Sequence, residues 1–142
     1  MKKYFCVTVI IFISISANAQ VWQNAIVGGW IDGEGDGKIE IYKQGDKYYG
    51  KIAWLREPTE ENGNAKVDDE NPDESKRKQP VLGLVILKNF DFKDGYWQNG
   101  TIYDPKNGKT YECEMWLDGK GTLKIRGYWG IVYRTDTWTK AK

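Results

Sequence analysis

Two short runs of the 142-residue chain carry oxygen ligands at spacings that suit a hard cation. Asp32, Glu34 and Asp36 alternate ahead of Gly37 and Ile39, which follows the opening of an EF-hand loop. The twelfth position of that motif needs a bidentate Glu, and here it is Lys43, a cation that would repel the ion. The motif also needs flanking helices, and strand-like sequence flanks this run. It therefore reads as a hairpin turn whose glycines supply positive φ and whose acids stay solvated. Asp68, Asp69, Asn71 and Asp73 form the second cluster, and Pro72 biases Asn71 toward extended backbone. That cluster reads as a structured turn in which Asn71 is the candidate contact for a polar ligand; no metal site is assigned.

The remaining chemistry is bounded by what is missing. The chain has no histidine, which excludes Ser-His-Asp and Cys-His catalysis, His-ligated zinc and an imidazole switch. It has two cysteines, Cys6 and Cys113. Cys6 falls in the leader described below, so Cys113 stands alone and neither an intrachain disulfide nor C-x-x-C redox chemistry is available. An enzyme would have to work with carboxylates, for instance paired acids acting on envelope glycans. The acids lie mostly in polar loops, so a non-enzymatic reading is preferred, and no cofactor is implied. Arg126, in "KIRGYWG", sits among apolar residues of a strand. A charge there needs a carboxylate or an indole to stack on, or is held for an anionic ligand group. Tyr103 and Tyr111 flank the turn "DPKNGK" and could pair across a predicted hairpin, which reads as a rigid hairpin or, alternatively, as one that brings two hydroxyls to a cavity mouth. Trp54 and Trp97 read first as core aromatics, with pocket lining as the alternative that makes them candidate ligand contacts.

These residues need elements to position them. The first 19 residues, "MKKYFCVTVIIFISISANA", have a basic start, an apolar run from Tyr4 to Ile15 and a small-x-small end, the anatomy of a signal peptide. Cleavage after Ala19 would leave 123 residues, enough for one domain, with 19 basic against 20 acidic side chains. So balanced a charge does not suggest nucleic-acid or anionic-membrane binding, and no later run would hold the chain stably in a bilayer. The expected location is periplasmic or secreted.

From Ile26 onward short alternating runs are separated by Gly, Asn and Asp turns, and no convincing helix occurs. About eight strands follow in up-and-down order. Tyr48, Ile52 and Trp54 are expected on one face, and "VLGLVILKNF" reads as a continuous strand. A meander of this length leaves two open edges unless it closes, so the expected fold is all-β, a small antiparallel barrel, with a β-sandwich as the alternative. Glu57 to Pro80 breaks the pattern with eight acids and four bases. It is expected to be disordered or a solvated flap, the alternative being a functional lid.

Gly28-x-Trp30 on the first strand resembles the lipocalin-type (calycin) signature. That resemblance implies a Trp packed across one barrel end near a basic residue of a late strand, for which Arg126 and Arg134 are the candidates. A broader resemblance covers nearly all of the chain after the leader. "GGWIDGEGDGKIEIY", "YYGKI", "DDENPD", "QPVLGLVIL", "NGTIYDPKNGKTY" and "LKIRGYWG" are similar, in this order, to an exported bacterial family catalogued as domain of unknown function 2147. It implies a leader, a compact β-barrel and no established activity. The resulting expectation is a barrel that binds a small or extended ligand, or an envelope partner, in an aromatic interior with Arg126 as its charged anchor. A purely structural or interaction module is the third class, and oligomeric state is not legible.

Overall fold

The Gly- and Asp-rich turns divide the chain into eight strands, and a computed structural model, which describes residues 22–142, shows how they are joined. They are β1 (Gly28–Ile31), β2 (Gly37–Gln44), β3 (Lys47–Leu55), β4 (Val85–Lys93), β5 (Tyr96–Asp104), β6 (Lys109–Leu117), β7 (Leu123–Trp129) and β8 (Val132–Lys140). Each pairs antiparallel with the next, and β1 returns to β8 through Trp30 opposite Lys140 and Ile31 opposite Thr139. Closure removes both edges, so the fold is an eight-stranded barrel and not a sandwich. The expected signal peptide lies outside the described residues.

Alternation decides what fills the barrel. Ile39 and Ile41 of β2, Tyr48 and Ile52 of β3, Leu87 and Phe90 of β4, Cys113 and Met115 of β6, Leu123 and Ile125 of β7 and Trp138 of β8 are all buried. Four irregularities adjust the alternation, one of them the extra residue Ile86 between the pairs Gly50–Leu87 and Lys51–Val85. Ile39 pairs with Ile52 and Lys38 with Trp54, so Ala53 is an extra residue in β3. Asn89 in β4 and Asn99 in β5 take left-handed φ of 63° and 62° where the ladder to the neighbouring strand slips. Such bulges increase local twist and let a short sheet coil into a barrel. Gly100 answers one of them: a Cβ there would sit 2.5 Å from the Phe90 ring, so only a bare backbone lets Phe90 fill the centre.

One end of the barrel is plugged. The turn Trp22–Val27 folds under it, held by Ala25 N–H to the Trp22 carbonyl and Val27 N–H to the Asn24 carbonyl. Ile26 is fully buried, the Trp30 indole donates to the Ile26 carbonyl at 2.8 Å, and the Trp97 indole donates to the Gln23 carbonyl at 3.1 Å. The Tyr48 hydroxyl meets Asn24 Oδ1 at 3.0 Å. Each of these aromatics removes ~150–250 Å² from water, worth at most about 4–6 kcal/mol. Lys140 Nζ lies 5.5 Å from the Trp30 ring, so the basic partner of the signature Trp is Lys140, and not Arg126 or Arg134.

The polar stretch after β3 is ordered, against the expectation of disorder, although most of it is solvated as a flap would be. Bridges join Thr59 to Ala65 and Val67 to Pro80, and Asp73 caps a 3-10 turn at Glu74–Lys76. Backbone bonds from Asp68 N–H to the Gln79 carbonyl (2.8 Å) and from Val81 N–H to the Lys66 carbonyl (3.0 Å) tie its two arms together. Hydrogen bonding to itself and one buried carboxylate replace the apolar burial that its composition lacks. Residues 81–84 belong to this loop rather than to a strand, because Gly83 takes a left-handed φ of 92°.

Candidate functional site

Up-and-down order gathers four connections at the end opposite the plug: residues 32–36, 56–84, 105–108 and 130–131. This end is the barrel mouth. Asp32 accepts the N–H groups of Glu34 (3.2 Å) and Asp36 (2.9 Å), Asp36 pairs with Arg56, and Glu34 lies 3.5 Å from Lys106. The run is a turn between β1 and β2, but its acids are engaged in turn geometry and ion pairs where the hairpin reading left them solvated. Among the described residues no three acidic or thiol side chains converge as a metal site.

The long loop is fastened by Asp68, which is fully buried. Its Oδ1 accepts the Tyr103 hydroxyl at 2.7 Å and its Oδ2 the Asn71 amide at 2.8 Å. Desolvation first, and then the bond to Asp68, push the Tyr103 hydroxyl well above the ordinary tyrosine value. Ile102 faces the lumen, so its neighbour Tyr103 faces outward. Ile86, the extra residue of β4 next to Leu87, is buried as well. The loop therefore seals an outer patch of β4–β5. Gly108, at φ 72°, fits beneath the Glu70 carbonyl where any side chain would collide, so the β5–β6 hairpin and the loop are shaped to each other.

Several of the expected site residues do not meet. Tyr103 pairs with Thr110 and Tyr111 with Ile102, so the two tyrosines lie on opposite faces and their hydroxyls do not converge. The Tyr111 hydroxyl accepts from the Asn107 amide at 3.1 Å near the mouth. Asn71 serves Asp68. Trp97 is core, 1% exposed, packed on Tyr48 and Phe92. Trp54 is turned outward and is 44% exposed, because the extra residue Ala53 breaks the alternation that would have carried it inward with Ile52.

Arg126 is not an interior anchor. Ile125 is buried in the lumen, so Arg126 stands on the outer face. Its guanidinium lies 4.8 Å from the Trp116 ring centre and 4.4 Å from that of Tyr133, and Nε donates to Thr135 Oγ1 at 2.8 Å. The stack on an indole is present, but the indole is Trp116. Beside it an open groove of about 410 Å³ runs over Gln98, Asn99, Thr101, Glu112, Glu114 and Tyr128, with the Tyr128 hydroxyl bonded to Glu114.

The cation that alternation does place on the lumen side is Arg134. It shares that face of β8 with Asp136 and the buried Trp138, and it pairs with Gly127, whose missing side chain leaves room before Tyr111 and Ile102. Asp136 is already engaged by Gly33 N–H (3.3 Å), Thr137 N–H (2.9 Å) and the Trp138 indole (3.0 Å). The Arg134 side chain has no ion pair or hydrogen bond among the described residues and is exposed at the mouth. Counting in twos from Trp138 would have found it.

With the barrel and its mouth described, comparison with known proteins gives a family. Residues 28–140 match the family described as "Uncharacterized protein conserved in bacteria (DUF2147)". The chain belongs to that family. Among solved structures it is similar to "Protein HP1028 from the human pathogen Helicobacter pylori belongs to the lipocalin family". The TM-score is 0.65 at 23% identity, over 75% of this chain and 73% of that one. At this identity the likeness speaks to the fold, which is lipocalin-like. Comparison with curated proteins finds no match.

Proposed function

We propose that this DUF2147 chain is an exported, periplasmic or secreted binding protein without catalytic activity. In this reading it takes the anionic end of a small amphiphilic ligand at the barrel mouth. The observation that carries the reading is Arg134, a lumen-side guanidinium facing a glycine and left without a carboxylate because Asp136 is fully engaged. A planar fork of donors at the barrel mouth favours a carboxylate or phosphate group. The plugged end and filled centre limit the ligand to the upper barrel, where Tyr111 and Ile102 line the wall.

Titration calorimetry with hexanoate and its methyl ester tests this. The wild type should prefer the carboxylate by about tenfold, one charged hydrogen-bonding contact. Arg134→Gln should erase the preference, while Arg126→Gln should leave it. An Arg134→Gln protein that keeps the preference refutes the assignment. For a carboxylate-based glycan hydrolase, the acids that share a groove are Glu112 and Glu114. A general acid needs a desolvated carboxyl, and neither residue is buried.

A further inference from the structure

The β7–β8 hairpin ends in Trp129, Gly130, Ile131, Val132 and Tyr133, and its side chains point into solvent. Ile131 is 99% exposed, Trp129 74%, Val132 64% and Tyr133 58%. Ile131 stands in the Gly130–Ile131 turn, the Trp129–Val132 pair faces the lumen side and Tyr133 the outer side, so exposed apolar side chains cover the tip and both faces of the hairpin, a feature of the kind that marks an interaction site. Folding does not require it, since none of the four contributes to the buried core. The tip is convex, which suits a deformable partner better than the concave complement of a protein groove.

The order of side chains away from the apex is specific. Ile131 is outermost, with Val132 and Trp129 beside it and Tyr133 below. Beneath them stand cations: Lys109 Nζ is 5.2 Å from the Trp129 ring, and the Arg126 guanidinium is 4.4 Å from the Tyr133 ring. Arg134 follows directly in sequence. Aliphatic tip, aromatic collar and cationic base reproduce the layers of a bilayer leaflet: acyl chains, the interfacial zone that favours Trp and Tyr, and the phosphates. We propose that this hairpin is a docking wedge that inserts into the interface of a lipid bilayer and holds the barrel mouth against the membrane surface.

The charge of the same end selects the kind of surface. The neighbouring run with Asp32, Glu34 and Asp36 and the acid-rich loop 57–80 oppose approach to an anionic leaflet. Insertion is therefore driven by apolar burial, with Lys109 and Arg126 meeting the phosphates of zwitterionic headgroups. This differs from the mouth site at Arg134: docking needs no ligand, and ligand capture needs no bilayer.

Flotation with phosphatidylcholine vesicles tests the wedge, using the chain from Gln20 onward. Wild type should float with the vesicles, and its tryptophan emission should shift to the blue and be quenched by lipids brominated along the acyl chain. Ile131→Asp and Trp129→Ser should each lower the partition coefficient at least tenfold without changing the melting temperature. Adding phosphatidylglycerol should not strengthen binding. Three results would overturn the proposal: no flotation of wild type, flotation that depends on phosphatidylglycerol, or a wild-type dimer in sedimentation equilibrium that Ile131→Asp converts to monomer.

Discussion

Removing the carboxylate of Asp68 should detach the long loop and measure what holds it. Asp68 is fully buried and accepts two hydrogen bonds, from the Tyr103 hydroxyl at 2.7 Å and the Asn71 amide at 2.8 Å. Hydrogen bonds to a charged group contribute ~1.5–3 kcal/mol each, so the pair is worth about 3–6 kcal/mol before the desolvation of the carboxylate is subtracted. The loop can also open and hydrate both donors, which limits the global loss. Asp68→Ala should therefore cost about 2–4 kcal/mol. Asp68→Asn, which keeps one acceptor but turns its amide against that of Asn71, should cost about half as much, and Tyr103→Phe about 1–2 kcal/mol. Urea unfolding followed by tryptophan fluorescence gives these values. Amide exchange at Asp68 and Val81, whose N–H groups close the two arms, reports the loop alone. If Asp68→Ala changes stability by less than about 0.5 kcal/mol and leaves both amides protected, the carboxylate is not the fastener and the argument fails.

Other changes probe the interior and the outer face. Gly100→Ala should destabilise by about 1–3 kcal/mol by forcing the Phe90 ring aside, and adding Phe90→Leu should recover part of that; strictly additive losses in a double-mutant cycle would refute the contact. Cys113, its thiol pushed up to about 12 by burial and then by the nearby Glu114, should resist a thiol reagent such as DTNB at pH 8 until the barrel unfolds. Tyr103 has a folded-state value raised above its ordinary 10.0, so its contribution to stability is complete below about pH 10 and is lost as pH rises through the raised value. Ultraviolet titration should show it ionising late, and Tyr103→Phe should flatten the alkaline loss. Arg126→Ala should cost about 0.5–2 kcal/mol from the two ring contacts on the outer face, read by thermal unfolding.

Period-two alternation made most of the barrel legible. Clean runs such as Tyr111 to Leu117 identify their inner face without help, and the turn residues mark seven connections. The misreadings occur where the ladder gains a residue. Trp54 follows Tyr48 and Ile52 in twos, but Ala53 intervenes and turns the indole out. Nothing local announces that bulge, because it is set by the pairing with β2. Arg126 was misplaced for a different reason. Leu123 and Ile125 alternate with Lys124 and Arg126, so strand parity places the guanidinium outside; reading it as an interior anchor weighed its apolar neighbours and not that alternation. Loop 57–80 was legible as a loop but not as an ordered one, since composition cannot show that one aspartate finds a tyrosine 35 residues away.

The filled centre narrows where a lipocalin-like barrel of this family can act. A hollow barrel binds its ligand among interior side chains, but here Phe90, Trp97, Tyr48 and Met115 occupy that space and the N-terminal turn blocks the exit behind them. In the proposed reading recognition falls to the mouth, where the backbone is held by turn hydrogen bonds and the Asp68 fastener rather than by core packing. Local opening free energies are smallest at such sites, so exchange of ligand there need not disturb the core. The two arginines then divide by strand parity alone. Arg126 is spent on two rings at the surface, whereas Arg134, eight residues on and across the β7–β8 turn, points inward with no partner of its own. Exchanging their surroundings, for instance by introducing Gly127→Glu opposite Arg134, should satisfy the guanidinium and raise the melting temperature while abolishing carboxylate preference. A Gly127→Glu protein that still prefers hexanoate would show that the mouth cation is not Arg134.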